Sequence, residues 1–205
     1  MRDLHSLFTS TLEAVHADKG GGAPISLRFS IGGTEKIYLA DHRKPNGAYI
    51  ENALQRALTI WGDLPAPPDL LCIDVCREPE EPLPPFRVLG LPAPHRTAEL
   101  PAQPDGCVRE SLYWALEPQP SFLPKLFREI IRAELSAQGM EWLCGTVWLA
   151  DTCNGLIFHL YDDRGADLLA SRKNLLLPLY ETHRDWIPED LLPAAEKLFA
   201  DPEIP

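Results

Sequence analysis

Residues 142–171 admit few folds. Three apolar segments, WLCGTVWLAD (142–151), LIFHLY (156–161) and ADLLAS (166–171), are separated by the reversals TCNG (152–155) and DDRG (162–165). Connections that short join antiparallel neighbours, because a parallel crossover takes about a dozen residues or more. Asn154-Gly155 is also the strongest short hairpin signal. The segment predicts a three-strand antiparallel meander.

The second reversal gathers Asp162, Asp163, Arg164 and Gly165 at one corner. As a turn it is self-explanatory. Asp162 is placed to accept bonds from backbone amides ahead of it, and Gly165 to take a positive φ. Arg164 is placed to pair with a carboxylate at the surface. A second carboxylate and an arginine still exceed what a turn requires. Side chains alternate along a strand, so Ile157, His159 and Tyr161 share one face. A functional reading gathers His159, Tyr161, Asp162, Asp163 and Arg164 around a ligand or partner. A histidine beside a carboxylate suits general-base chemistry. A half-buried, hydrogen-bonded strand histidine is the plainer alternative.

Upstream, Leu4, Leu7, Phe8, Leu12 and Val15 recur at helical spacing and predict a helix over 3–17. SLRFSIG (26–32) reads as a strand. YIENALQRALTIWGDL (49–64) carries an apolar stripe and Gly62 to end it. LLCIDVC (70–76) and SLYWALE (111–117) read as strands. PQPSFLPKLFREIIRAELSAQG (118–139) reads as a helix with Ser121 as N-cap, Pro124 in the first turn and Gly139 at its end. KNLLLPLYETHRDW (173–186), capped by Ser171 or Asn174, and PEDLLPAAEKLF (188–199) complete the helices. Between strands lies the proline-dense stretch 77–106, which cannot be helical. Only FRVL (86–89) looks able to pair there. The expectation is one α+β domain over 1–205, with 77–106 a long loop within it. Its sheet is mostly antiparallel, with helices packed mainly on one face.

The chain carries 45% hydrophobic residues, enough for a core, and a formal charge of −11. That charge repels phosphates, so nucleic acid and anionic membranes are poor partners and a basic protein is a good one. The opening MRDLHSLFTS has no long apolar stretch, and no segment reaches the roughly 20 apolar residues of a bilayer span. Five irregularly spaced cysteines (72, 76, 107, 144 and 153) fit reduced thiols in a cytoplasmic protein. Cys72 and Cys76 share a strand face about 13 Å apart, too far to share a metal. Cys144 and Cys153 flank a hairpin as a packed pair of thiols. No zinc-hydrolase histidine motif, nucleophile elbow or phosphate-binding glycine loop occurs. Asp41-His42-Arg43-Lys44 reads as a solvated loop sooner than an anion site. No catalytic or metal-binding residue and no cofactor is assigned.

VWLADTCNGLIFHLYDDRGADLLASRKNLLLPLYETHRDWI (147–187) resembles the C-terminal signature of a bacterial family, domain-of-unknown-function family 3885. Its members look like strand, turn, a strand ending in FHLYDDRG, strand, then a helix. Here those are Phe158–Gly165 and Leu177–Trp186. YIENALQRALTIW (49–61) is similar to that family's mid-region helix. The resemblance implies a small bacterial cytosolic α+β protein and carries no activity. The combined expectation is a non-catalytic binding module of inhibitor or immunity type. Its acidic surface, around Glu78, Glu80 and Glu81 or the Asp162/Asp163 corner, docks a basic protein. The alternative is an enzyme or small-ligand binder centred on His159 and Tyr161.

Overall fold

In the computed structural model, which describes residues 3–16, 24–39, 44–83, 85–96, 106–133, 135 and 145–200, strands from both halves of the sequence form one sheet. They are β1 (Ile25–Ser30), β2 (Leu70–Arg77), β3 (His95–Arg96), β4 (Val108–Ala115), β5 (Gly145–Asp151), β6 (Leu156–Leu160) and β7 (Gly165–Ala170). The order is β1-β7-β6-β5-β2-β4-β3, and every pairing is antiparallel. The described helices are α1 (Leu4–His16), α2 (Gly47–Gly62), α3 (Leu123–Ala133), α4 (Leu177–His183) and α5 (Leu192–Ala200). This is α+β, with the expected meander as β5, β6 and β7. Among the described residues no helix is long and apolar enough to cross a membrane.

The main core lies between one sheet face and α2, α3, α4 and α5. Phe158 of β6 stacks on Phe127 of α3, with ring centroids 5.5 Å apart, and Trp61 of α2 meets both edge-on. Among the described residues the opposite face carries α1 alone. There Phe8 and Val15 sit on Leu70, Cys72, Tyr113, Ala150 and Ile157, a smaller and separate cluster. β6 is buried at every position except His159, which is half-buried.

Several local expectations need correction. FRVL does not pair as a strand; it forms a 3-10 turn, Phe86–Leu89, whose Phe86 and Leu89 enter the core. The pairing falls instead to His95–Arg96, which joins the far edge of β4. Phe86 meets Trp114 edge-on at 5.1 Å, and the Trp114 indole donates to the Pro92 carbonyl. Prolines withhold amide donors, so this segment is attached by side chains and carbonyls more than by a ladder. Ser121 is not the cap of α3: that helix starts at Leu123, where the Pro120 and Phe122 carbonyls receive the first amides. Pro124 does lie in its first turn. α4 follows a 3-10 turn, Lys173–Leu175, and has no side-chain cap, so neither Ser171 nor Asn174 caps it. Ser171 Oγ donates to the Asn154 carbonyl and ties the end of β7 to the first reversal. Gly139 and residues 142–144 lie outside the described residues.

Truncating Phe158 to alanine removes the ring that α2 and α3 share. We expect a loss of about 3–5 kcal/mol, read as a lower urea midpoint at unchanged m-value.

Candidate functional site

The corner after β6 is built inward. Asp162 Oδ1 accepts the Arg164 amide at 2.7 Å, and its Oδ2 takes the Arg164 guanidinium. Asp163 turns the other way, where its carboxylate receives the Tyr49 hydroxyl of α2 at 2.6 Å. Burial first, and then that hydrogen bond, push the tyrosine pKa up. Both aspartates are buried, at 3% and 4% exposure, while Arg164 projects into solvent. The second carboxylate is thus accounted for by a helix distant in sequence. Gly165 is not there for a positive φ, which this chain adopts at Gly155 of the other reversal. It is there for closeness: a Cβ would lie 2.3 Å from the Tyr161 hydroxyl and 2.8 Å from the Phe29 carbonyl.

His159 and Tyr161 point to the α1 side of the sheet, into a region that α1 leaves partly uncovered. The register places Arg28, Asp167, His159 and Trp148 in one row across β1, β7, β6 and β5. His159 stacks on Trp148 at 4.1 Å and lies 5.8 Å from Tyr161, over which Arg28 rests at 5.1 Å. Arg28 in turn makes a two-pronged bond to Asp167, at 2.6 and 2.8 Å. Burial lowers the His159 pKa, against a smaller opposing pull from Asp167. Next along the sheet, Asp74 accepts from Ser111 at 2.6 Å and from the Trp148 indole at 3.2 Å. Tyr113 pairs with His5 of α1 at 3.0 Å. His159 and Tyr161 therefore sit with Arg28, Asp167 and Trp148, and the Asp162 carboxylate acts on both rings from the turn, while Asp163 is engaged by Tyr49 of α2.

A second feature lies at the far end of β2. The Arg77 guanidinium donates to the carboxylate of Glu110, itself 2% exposed, and to the carbonyls of Glu78, Pro79 and Glu81. The turn closes further where the Glu81 carboxylate accepts the Glu78 amide. Glu78, Glu80 and Glu81 stand exposed on this clasped turn.

The described residues hold no group of three or more His, Cys, Asp or Glu arranged for a metal. Cys72 is a buried thiol whose pKa burial pushes up, and Cys153 is exposed in the first reversal. Cys144 and Asp41–Arg43 lie outside the described residues. Tyr180 and Trp186 pack locally, on Phe199 and His183.

Three predictions follow from these contacts. Tyr49→Phe leaves Asp163 buried without that donor and should cost about 1–3 kcal/mol; Gly165→Ala should cost a similar amount by overpacking, both read by urea unfolding. His159 is lowered in the folded state, so its contribution to stability is complete above the ordinary value of 6.5 and is lost as pH falls below it. Between about pH 7 and pH 5, His159→Phe should lose less stability than wild type while keeping the ring stack.

Residues 21–190 match the model of a Domain of unknown function (DUF3885). No curated protein and no solved structure matches the chain.

Proposed function

Since the chain belongs to the DUF3885 family, whose description names no activity, we propose from its surface chemistry that it is a non-catalytic binding protein of the bacterial cytoplasm, inhibitor- or immunity-like, which docks a basic protein partner. The observation that carries this reading is the clasped turn after β2. Its one cation, Arg77, has a side chain only 9% exposed and spends its donors inside the turn. Glu78, Glu80 and Glu81 are left to face solvent. A turn held by four residues' acceptors loses little freedom on binding, which lowers the entropic cost of docking. The formal charge of −11 adds long-range steering of a cationic partner. The Asp162/Asp163 corner supports the reading less, because its carboxylates are already engaged indoors.

A second reading is a small-ligand site on the uncovered sheet face. It is favoured by one observation: among the described residues, neither ring nitrogen of His159 has a hydrogen-bond partner. A ligand on this face should raise the melting temperature of wild type and not of His159→Phe. Equal shifts in both proteins would exclude the face.

For the leading reading, the test is crosslinking in native lysate with wild type and with a Glu78→Gln/Glu80→Gln/Glu81→Gln variant. A basic partner should be captured by wild type and lost from the variant. With that partner purified, the variant's association rate should fall about tenfold at low salt and converge with wild type at high salt. Identical capture by both proteins, or a partner that is not basic, would count against it.

A further inference from the structure

Among the described residues β1 is an edge strand, and one contact fixes its hydrogen-bonding parity. The Ile31 amide donates to the Arg164 carbonyl at 3.0 Å, toward β7. Backbone groups alternate sides along a strand, so Ile25, Leu27 and Phe29 also face β7. Ser26, Arg28 and Ser30 face outward. The Ser30 carbonyl is already taken by Arg56 of α2, at 3.3 Å. The outward amides and carbonyls of Ser26 and Arg28 have no partner among the described residues.

This edge opens into a groove of about 560 Å³. Its far wall is formed by Leu191 and, in α5, Ala194, Ala195 and Leu198. Those four recur at i, i+3, i+4 and i+7, the pattern of a helix face that packs against another helix. Leu191 and Leu198 are only half-buried, and Ala194 is exposed.

We propose that the occupant of this edge is a second copy of the chain, joined β1 to β1 in an antiparallel seam with its two-fold axis at Leu27. In that register Ser26 opposes the partner copy's residue 28, and Arg28 opposes residue 26. Both are outward-facing pairs, so the seam forms four backbone hydrogen bonds through the amides and carbonyls of Ser26 and Arg28. Ser30 opposes residue 24, which is a proline. Proline has no amide to offer, and the Ser30 carbonyl, bonded to Arg56, needs none. Charge fits as well. Each Arg28 faces a serine across the seam, avoiding the like-charge opposition that weakens cross-strand pairs, and each is neutralised by its own Asp167. A two-fold axis normal to the sheet keeps both α5 helices on one side. Their half-exposed stripes then meet across the grooves, an isologous interface in which each surface is its own complement.

Sedimentation velocity from low-micromolar to several hundred micromolar protein tests the seam. Wild type should show a concentration-dependent dimer. Ser26→Pro deletes an outward amide without touching the bonds to β7, and proline is tolerated on edge strands. It should raise the dimer dissociation constant about tenfold or more. Ser26→Ala, which keeps the amide, should dimerise as wild type does. A wild type that stays monomeric throughout would overturn the proposal. So would a folded Ser26→Pro protein that dimerises with unchanged affinity. Should Ser26→Pro fail to fold, hydrogen exchange on wild type decides instead. The Ser26 and Arg28 amides should be protected at high concentration and exchange freely on dilution. Free exchange at both concentrations would also overturn it.

Discussion

Register is the constraint on which the rest of the molecule depends. β6 is buried on both faces except at His159, so a slip of one residue would drive the imidazole into the aromatic core and expel Phe158. Two buried aspartates hold the register. Asp151 accepts the amides of Cys153 and Asn154 at one end, and Asp162 accepts that of Arg164 at the other. Each carboxylate sits where a strand must reverse, and each fixes how many residues the reversal consumes. The rows across the sheet, and with them the neighbours of His159, are set at those two points.

Much of this was legible in the chain, and the meander most of all. The reversals were marked by Asn-Gly and Asp-Asp-Arg-Gly, whose chemistry acts within a few residues. The amphipathic stripes of α1, α2 and α3 were likewise local signals. Trp148 beside His159 was also available in principle: counting outward from the pair Asp151 and Leu156 places them opposite each other. What could not be read was any partner distant in sequence. Tyr49 explains Asp163, and Phe29 and the Tyr161 ring explain Gly165, only once the sheet and α2 are assembled. A glycine required for close approach looks, in sequence, the same as one required for its dihedral angle. The proline-rich stretch misled for a similar reason. Val88 and Leu89 resemble strand residues, yet their neighbours Pro85 and Gly90 favour a tight turn.

The two sheet faces have been put to different uses. One is packed by four helices around stacked aromatic rings. The other is shared between α1 and a row of polar and aromatic side chains, from the exposed Arg28 to the half-buried Asp74. The acidic turn lies outside both, at the end of β2, where the Arg77–Glu110 pair anchors it without drawing on the sheet's apolar surface. Carboxylates on this turn can therefore be exchanged without repacking the core.

The separate cluster beneath α1 has a dynamic consequence. α1 contributes no residue to the main core and rests on its own group of apolar side chains, with His5 bonded to Tyr113 at one end. With so small a buried group beneath it, its release should take less free energy than global unfolding. Such an opening would bare Cys72, Tyr113 and Ile157 on the sheet face while the aromatic core beneath the other helices stayed closed.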